Sequence, residues 1–342
     1  MKMSGHLLYV DTTQICGIGC AFCMYADKHK QGVSMTLSGR ARDNLSTLIN
    51  SEGVKRISIS GEGEPLNNIE VFHQILALSS GGNSFEFITS GFFPHELLTD
   101  FYDKTNSILS ERGDVCNIRL SADSYHIDKI KSRPHAFSLS YWSDRRPSAL
   151  TFSFRSVEVD REFTRDYLLS ELEKRSIFGK VCSRGALEDE LLIDDASFWI
   201  DYKNVVNPSE FTPNGFMNLY EYVQAIEGRI GKRFTLGSLN AAHLENGMDV
   251  TVKPSGDVYF YWVENICLGN IHSDVFDWDL LAERVVSTPL INSLYTRPFL
   301  ELVENLSDIE VAQSLIQKVN NPYWLIKELA RHDGLLDRML SP

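Results

Sequence analysis

Three cysteines, Cys16, Cys20 and Cys23, stand in a C-x3-C-x2-C spacing, with glycines at 17 and 19 and an aromatic, Phe22, just before the third. Three thiolates on so short a loop can wrap one face of a cubane iron–sulfur cluster. Most such clusters take four cysteines. Three leave one iron open to an outside ligand, where substrate or cofactor chemistry can occur. The competing reading is a zinc site, which needs a fourth Cys or His; His29 is near enough in sequence to supply it.

A second motif stands at the end of the next strand. Val54-Lys55-Arg56-Ile57-Ser58-Ile59-Ser60 alternates as a strand does and runs into Gly61-Glu62-Gly63-Glu64-Pro65-Leu66. Such an ending is expected to expose backbone amides and a carboxylate at the strand's C-terminal edge. Glycine there permits close approach of backbone to a ligand.

The elements that must position these motifs follow from periodicity. Strands are expected over residues 6–10, 54–60, 85–89, 116–121, 149–155 and 191–203. Helices are expected over 36–50, 69–79, 95–110 and 159–175, while 182–190 fits no element clearly. The alternation implies a parallel sheet with helices packed outside it. Both motifs then lie at strand C-terminal ends, where open α/β sheets bind ligands.

The cysteine spacing with Phe22, followed by the Gly-Glu-Pro strand end, resembles the radical S-adenosylmethionine (radical SAM) superfamily. The resemblance implies an α/β fold, a partial (β/α)6 barrel within residues 1–205. It implies a [4Fe-4S] cluster on Cys16, Cys20 and Cys23, whose open iron binds the amino and carboxylate groups of SAM. Phe22, Gly61, Gly63, Glu64 and Pro65 would position SAM. Ser90-Gly91 resembles the family's third-strand end. Ser121 and Asp123, in a Ser-x-Asp-x-x-His ending, would approach the SAM ribose or carboxylate, although Asp123 also suits the N-cap of the helix that follows. Arg155 would meet the SAM carboxylate, or else form a solvent ion pair. His126 reads as a helix-face residue.

Beyond residue 205 the pattern changes. Residues 217–229 read as a helix, and 249–253 with 258–262 as a β-hairpin turning at Pro254-Ser255-Gly256-Asp257. Cys267-Leu268-Gly269-Asn270-Ile271 follows, and 275–340 is mostly helical. Residues 206–342 thus form an α+β extension that resembles the SPASM or twitch type of radical SAM maturases. It departs from that type where Tyr261 and Trp262 stand in place of a ligand cysteine, so a scaffold without its auxiliary cluster is expected. Outside the main motif only Cys116, Cys182 and Cys267 remain. Cys116 reads as an inward strand residue. Cys267 and Cys182 are candidate hydrogen-atom donors, as a radical epimerase would need, or else small buried residues.

Composition narrows the classes. With 43% apolar and 23% charged residues the chain is globular. No apolar run reaches the ~18 residues of a membrane span. Residues before Cys16 lack a signal-peptide layout, and six cysteines with three in one motif are not a disulfide framework; a cytoplasmic setting is expected. A formal net charge of −13 makes nucleic acid an unlikely partner. The expected partners are a peptide or small-molecule substrate and an electron donor such as flavodoxin or ferredoxin. The hairpin favours a peptide maturase, and the lack of a leader-binding domain before Cys16 favours a small intermediate. A catalytically silent scaffold and an RNA-modifying enzyme are the alternatives.

Overall fold

The computed structural model describes residues 5–20, 23, 25–203, 217–236, 247–261 and 263–340. The chain forms two compact units. One comprises Val10–Leu37 and Ile57–Lys203; the other comprises Met1–Tyr9, Ser38–Arg56 and Asn204–Pro342. In chain order the strands are β1 (His6–Asp11), β2 (Val54–Ser60), β3 (Ser84–Thr89), β4 (Val115–Ser121), β5 (Leu150–Val157), β6 (Gly179–Gly185), β7 (Glu188–Ile193), β8 (Ala196–Lys203), β9 (Asp249–Val252), β10 (Asp257–Phe260) and β11 (Cys267–Asn270).

In the first unit the order is β2-β3-β4-β5-β8-β7-β6. Strands β2 to β5 and β8 run parallel, and β8, β7 and β6 form an antiparallel meander. The α/β class and the parallel-dominated sheet are as expected. The strand order has two ends, so the sheet is open rather than closed on itself.

The expected strand over 191–203 is two strands. Ile193 pairs with Ala196 across a two-residue turn at Asp194 and Asp195, with Asp194 at φ 51°. Asp tolerates that left-handed conformation better than most residues. The unassigned stretch 182–190 is the end of β6 and the start of β7. A helix over Pro134–Arg145, which periodicity did not single out, links β4 to β5.

Parallel register gives this sheet two unlike faces, because successive side chains alternate. One face carries the rows Ile57-Phe85-Cys116-Leu150, Ile59-Phe87-Ile118-Phe152 and Thr89-Leu120-Phe154-Ile200, all buried. Helices Ile69–Leu76, His95–Ser110, Pro134–Arg145 and Arg161–Glu173 cover it. Phe72 lies 4.3 Å from Phe87, and Tyr102 meets Phe152 edge-on at 5.1 Å. The other face carries Ser58-Glu86-Asn117-Thr151, Ile88-Arg119-Ser153 and Ser121-Arg155-Asp201, with Lys203 beside Val157. It is polar nearly throughout.

In the second unit β9 and β10 form the expected hairpin, and β11 pairs antiparallel with β10. The turn closes through Gly256 N–H on the Lys253 carbonyl, with Gly256 at φ 88°. A β-carbon there would sit 2.4 Å from the His272 ring, so the position requires glycine. Helix Leu219–Ile230 begins at a capping box of Asn218 and Glu221. Trp278 stacks on His6 at 4.2 Å and donates its indole N–H to the Leu48 carbonyl. Short helices from Trp278–Ser287 to Leu335–Leu340 complete the unit. Trp262 lies outside the described residues. No helix among those described is long and apolar enough to cross a membrane.

Candidate functional site at the strand C-termini

The cysteine loop is anchored before it begins. Thr12 N–H donates to the Ser60 carbonyl (2.8 Å), Gly63 N–H to Thr13 (2.8 Å) and Glu64 N–H to Ile15 (3.0 Å). These bonds bind the loop entrance to the turn that ends β2. The two glycines of that turn serve the contact. A β-carbon on Gly61 would lie 2.9 Å from the Thr13 carbonyl oxygen, and one on Gly63 only 2.3 Å from that of Ile15. Their closeness is therefore to the chain's own cysteine loop, whereas the sequence suggested closeness to a ligand.

Glu64 corrects a second expectation. Its carboxylate is buried, not exposed. One oxygen accepts from Leu66 N–H (3.1 Å) and the Thr89 hydroxyl; the other accepts from Ser90 N–H (2.9 Å) and the Ser90 hydroxyl. All its lone pairs are used in tying the end of β2 to the end of β3. Pro65 follows, buried, as the first residue of a short 3-10 helix. The neighbouring Glu62, also buried, accepts from Gln14 (2.7 Å) and from Lys28, and its backbone carbonyl lies 2.8 Å from His29 Nε2.

All six cysteines of the chain are thiols, and Cys16, Cys20 and Cys23 are half-buried. Burial raises the Cys16 thiol, with the Glu64 charge adding to the effect. Burial, reinforced by Cys20 and Cys16, pushes Cys23 up to about 11. His29 Nε2 lies 3.8 Å from Cys23 Sγ. Gly19, at φ 69°, makes the bend between the first two thiols.

Beside the loop stand the ends of β4, β5 and β8. Asp123 caps the helical turn Ser124–Ile127, accepting from His126 N–H at 3.1 Å. The same carboxylate holds the His126 ring, Nδ1 to Oδ1 at 2.8 Å, and Cys20 lies near enough to act on the ring electrostatically. Burial opposes charge on His126, but Asp123 and Cys20 outweigh it and raise the imidazole to about 10. Burial likewise works against the Asp123 charge, yet His126 and Lys203 hold the carboxyl below its usual range. His126 lies on that helical turn, as expected, and Cys20 of the cysteine loop also acts on its ring.

On β4, β5 and β8, Ser121, Arg155 and Asp201 share one register row. Arg155 Nη2 is 3.4 Å from Asp201 Oδ2, with both side chains about one-third exposed. Deeper on the same face Arg119 pairs with Glu86 at 2.8 Å, and the Ser58 hydroxyl donates to Glu86 at 2.7 Å. Lys203, half-buried at the end of β8, is lowered to about 8 by burial and by Arg155 and Arg119, although Asp123 and Cys23 pull the other way.

The fold therefore gathers Cys16, Cys20, Cys23, Gly61, Gly63, Glu64, Pro65, Ser121, Asp123 and Arg155 at one end of the parallel strands. Phe22 lies outside the described residues. Cys182 is not in this group: it sits on β6, the outermost strand of the sheet, opposite Glu190. Cys267 belongs to the other unit, where it is exposed on β11 with Sγ 3.5 Å from the Gly269 carbonyl. Cys116 is buried under the helices, as expected. Lys203 and the pair of Glu86 and Arg119 were missed by motif reading. Their signal was a polar or charged residue at every second position inside otherwise apolar strands: Asn117-x-Arg119, Ser153-x-Arg155, Asp201-x-Lys203.

No family model matches the chain, and no curated protein matches it in sequence.

Proposed function

We propose that this protein is a radical SAM enzyme of the partial-barrel type, acting in the cytoplasm on a peptide or small molecule and reduced by a donor such as flavodoxin or ferredoxin. One observation carries the reading. Three thiols outside any disulfide stand at the C-terminal end of a parallel sheet, on a loop bonded to the Gly61-Glu62-Gly63-Glu64 turn. Among the described residues no three His, Cys, Asp or Glu side chains surround a single point, so the thiols are treated as a donor set rather than a formed site. As a donor set they fit an iron–sulfur cluster, which takes soft thiolates and here would keep one iron open.

Cys16, Cys20 and Cys23 would hold a [4Fe-4S] cluster, which would supply the reducing electron for radical chemistry on SAM. The chain's own residues prepare that event. The buried thiols must release their protons to bind iron, so loading is expected to be pH-dependent. Glu64 acts by fixing two strand ends, leaving the backbone of residues 61–63 and the Ser121, Asp123 and Arg155 side chains for SAM. The polar sheet face behind them is the surface a substrate would meet.

A zinc site is the second reading, favoured by the approach of His29 to Cys23, which would offer a fourth donor beside the three cysteines. Anaerobic reconstitution with iron and sulfide, followed by reduction with SAM, separates the two. The expected result is about four irons per chain and 5′-deoxyadenosine, both lost in Cys16→Ala, Cys20→Ala and Cys23→Ala. One tightly held zinc without SAM cleavage, lost in His29→Ala, would replace the radical reading.

A further inference from the structure

We infer that Glu62 is a positioning residue for the three thiols: by holding Gln14 and Lys28 it closes the loop that carries Cys16, Cys20 and Cys23, and so sets their spacing for a metal or cluster. This assignment rests on reading the thiols as a donor set, and it goes beyond that reading in naming the side chain that shapes the set.

The loop is bounded by two paired arms, residues 12–14 and 33–35. Met35 N–H donates to the Thr12 carbonyl (2.8 Å), Gln14 N–H donates to that of Val33 (2.7 Å), and Thr13 meets Ser34 in an antiparallel bridge. Between the arms come the three cysteines and then the helical turn Ala26–His29. The Glu62 carboxylate reaches both sides of this span. One oxygen accepts from Gln14 Nε2 (2.7 Å), just before the cysteines, and the other from Lys28 Nζ (2.5 Å), just after them. The Glu62 carbonyl oxygen lies 2.8 Å from His29 Nε2. Gln14 is itself fixed, because its Oε1 accepts from Val33 N–H (3.2 Å). Glu62 and Gln14 are both buried.

A buried carboxylate paired with a cation adds little net stability over apolar groups of similar volume. What Glu62 provides is geometry. A loop whose two ends are tied loses less entropy when its side chains gather on a ligand. Hydrogen-bond polarity makes the role exacting. Gln14 Nε2 and Lys28 Nζ both donate, so a side chain that takes both needs two acceptors. In Glu62→Gln the new amide has one. With its oxygen toward Gln14 it points N–H groups at Lys28. With its oxygen toward Lys28 it faces the Gln14 amide, which cannot flip without setting its own N–H against that of Val33. Either way the clasp opens on one side. Exchanging the two residues, Gln14→Glu with Glu62→Gln, satisfies every partner again. The carboxylate at position 14 then accepts from Val33 N–H and from the amide at position 62, whose oxygen accepts from Lys28.

The test uses the full chain without added iron, titrated anaerobically with cadmium while the thiolate–cadmium absorbance is followed and the thermal midpoint is measured in parallel. Wild type should bind cadmium through its thiolates, with the band lost in Cys20→Ala. Glu62→Gln should weaken cadmium by about 10–100-fold, the usual loss when a group that orients metal ligands is removed. Gln14→Met opens the other side of the clasp without changing charge, and should weaken it in the same direction. The exchanged pair, which keeps the net charge of wild type, should bring the affinity most of the way back. Asp189→Asn is the stability control. It alters a fully buried carboxylate that takes Arg161, Arg165 and Tyr202 on β7, and should lower the midpoint while leaving cadmium affinity unchanged. Wild-type affinity in Glu62→Gln or Gln14→Met, no recovery in the exchanged pair, or an equal loss in Asp189→Asn would each overturn the inference while the donor-set reading stands. Absence of the thiolate band in wild type would overturn both.

Discussion

Along β3, Phe85 and Phe87 turn to the helices while Glu86, between them, turns to the opposite side and meets Arg119. The same contrast repeats on β4 and β5, where Ile118 and Leu120 alternate with Arg119 and Ser121, and Phe154 with Ser153 and Arg155. A parallel sheet is usually apolar on both faces because helices cover both. Here helices cover the apolar face, and the polar face keeps charge pairs that contribute little to stability for their burial. The difference shows that apolar packing is concentrated on one face and buried charge pairs on the other.

The largest effect should come from breaking each face at its centre. Phe87→Ala removes a fully buried ring packed on Phe72 and Phe101 and should cost about 3–5 kcal/mol in chemical denaturation. Arg119→Ala should cost about as much, because it strands the Glu86 carboxylate. The double replacement Arg119→Met with Glu86→Leu should restore most of that loss or exceed wild-type stability. A double variant as unstable as Arg119→Ala alone would mean that this pair does support the fold.

Acid should act next, through the helix-covered side. His135 is fully buried, its Nε2–H donating to the Ser121 carbonyl (2.8 Å) and its Nδ1 accepting from the Tyr167 hydroxyl (2.9 Å), and burial lowers it to about 4. In the unfolded chain its pKa is about 6.5. Below that value the unfolded chain takes up a proton that the folded chain refuses. The contribution is therefore full above pH ~6.5 and lost as pH falls toward 4, by up to ~3 kcal/mol. His73, in the helix beside Phe72, is also lowered to about 4 by burial and by Lys104, and adds in the same direction. Denaturation midpoints of His135→Asn and His73→Gln across this window should show flatter slopes than wild type. An unchanged slope in both would show that the two histidines are protonated in the folded protein.

The smallest effect should fall on the neutral part of the polar face. Ser153→Ala removes one hydrogen bond from Asn117 and should cost about 1 kcal/mol. A loss comparable with Phe87→Ala would erase the distinction between the faces.

Much of this arrangement is written locally. The βα alternation, the hairpin turn at Gly256 and the cap at Asp123 depend on residues a few positions apart, and each was legible in the sequence. So was the three-thiol spacing, since a ligand loop is a local motif. The turn at Asp194 and Asp195 was also local, but the apolar residues on both sides of it read as one continuous strand. What tertiary structure decided is which groups meet. Glu62 and Glu64 are equivalent on paper, yet one takes Gln14 and Lys28 while the other is consumed at Thr89 and Ser90. Lys203 approaches Arg155 only because β8 returns, after an antiparallel detour through β6 and β7, to lie beside β5. Such pairings depend on strand order and register across dozens of residues, which side-chain periodicity within a strand does not encode.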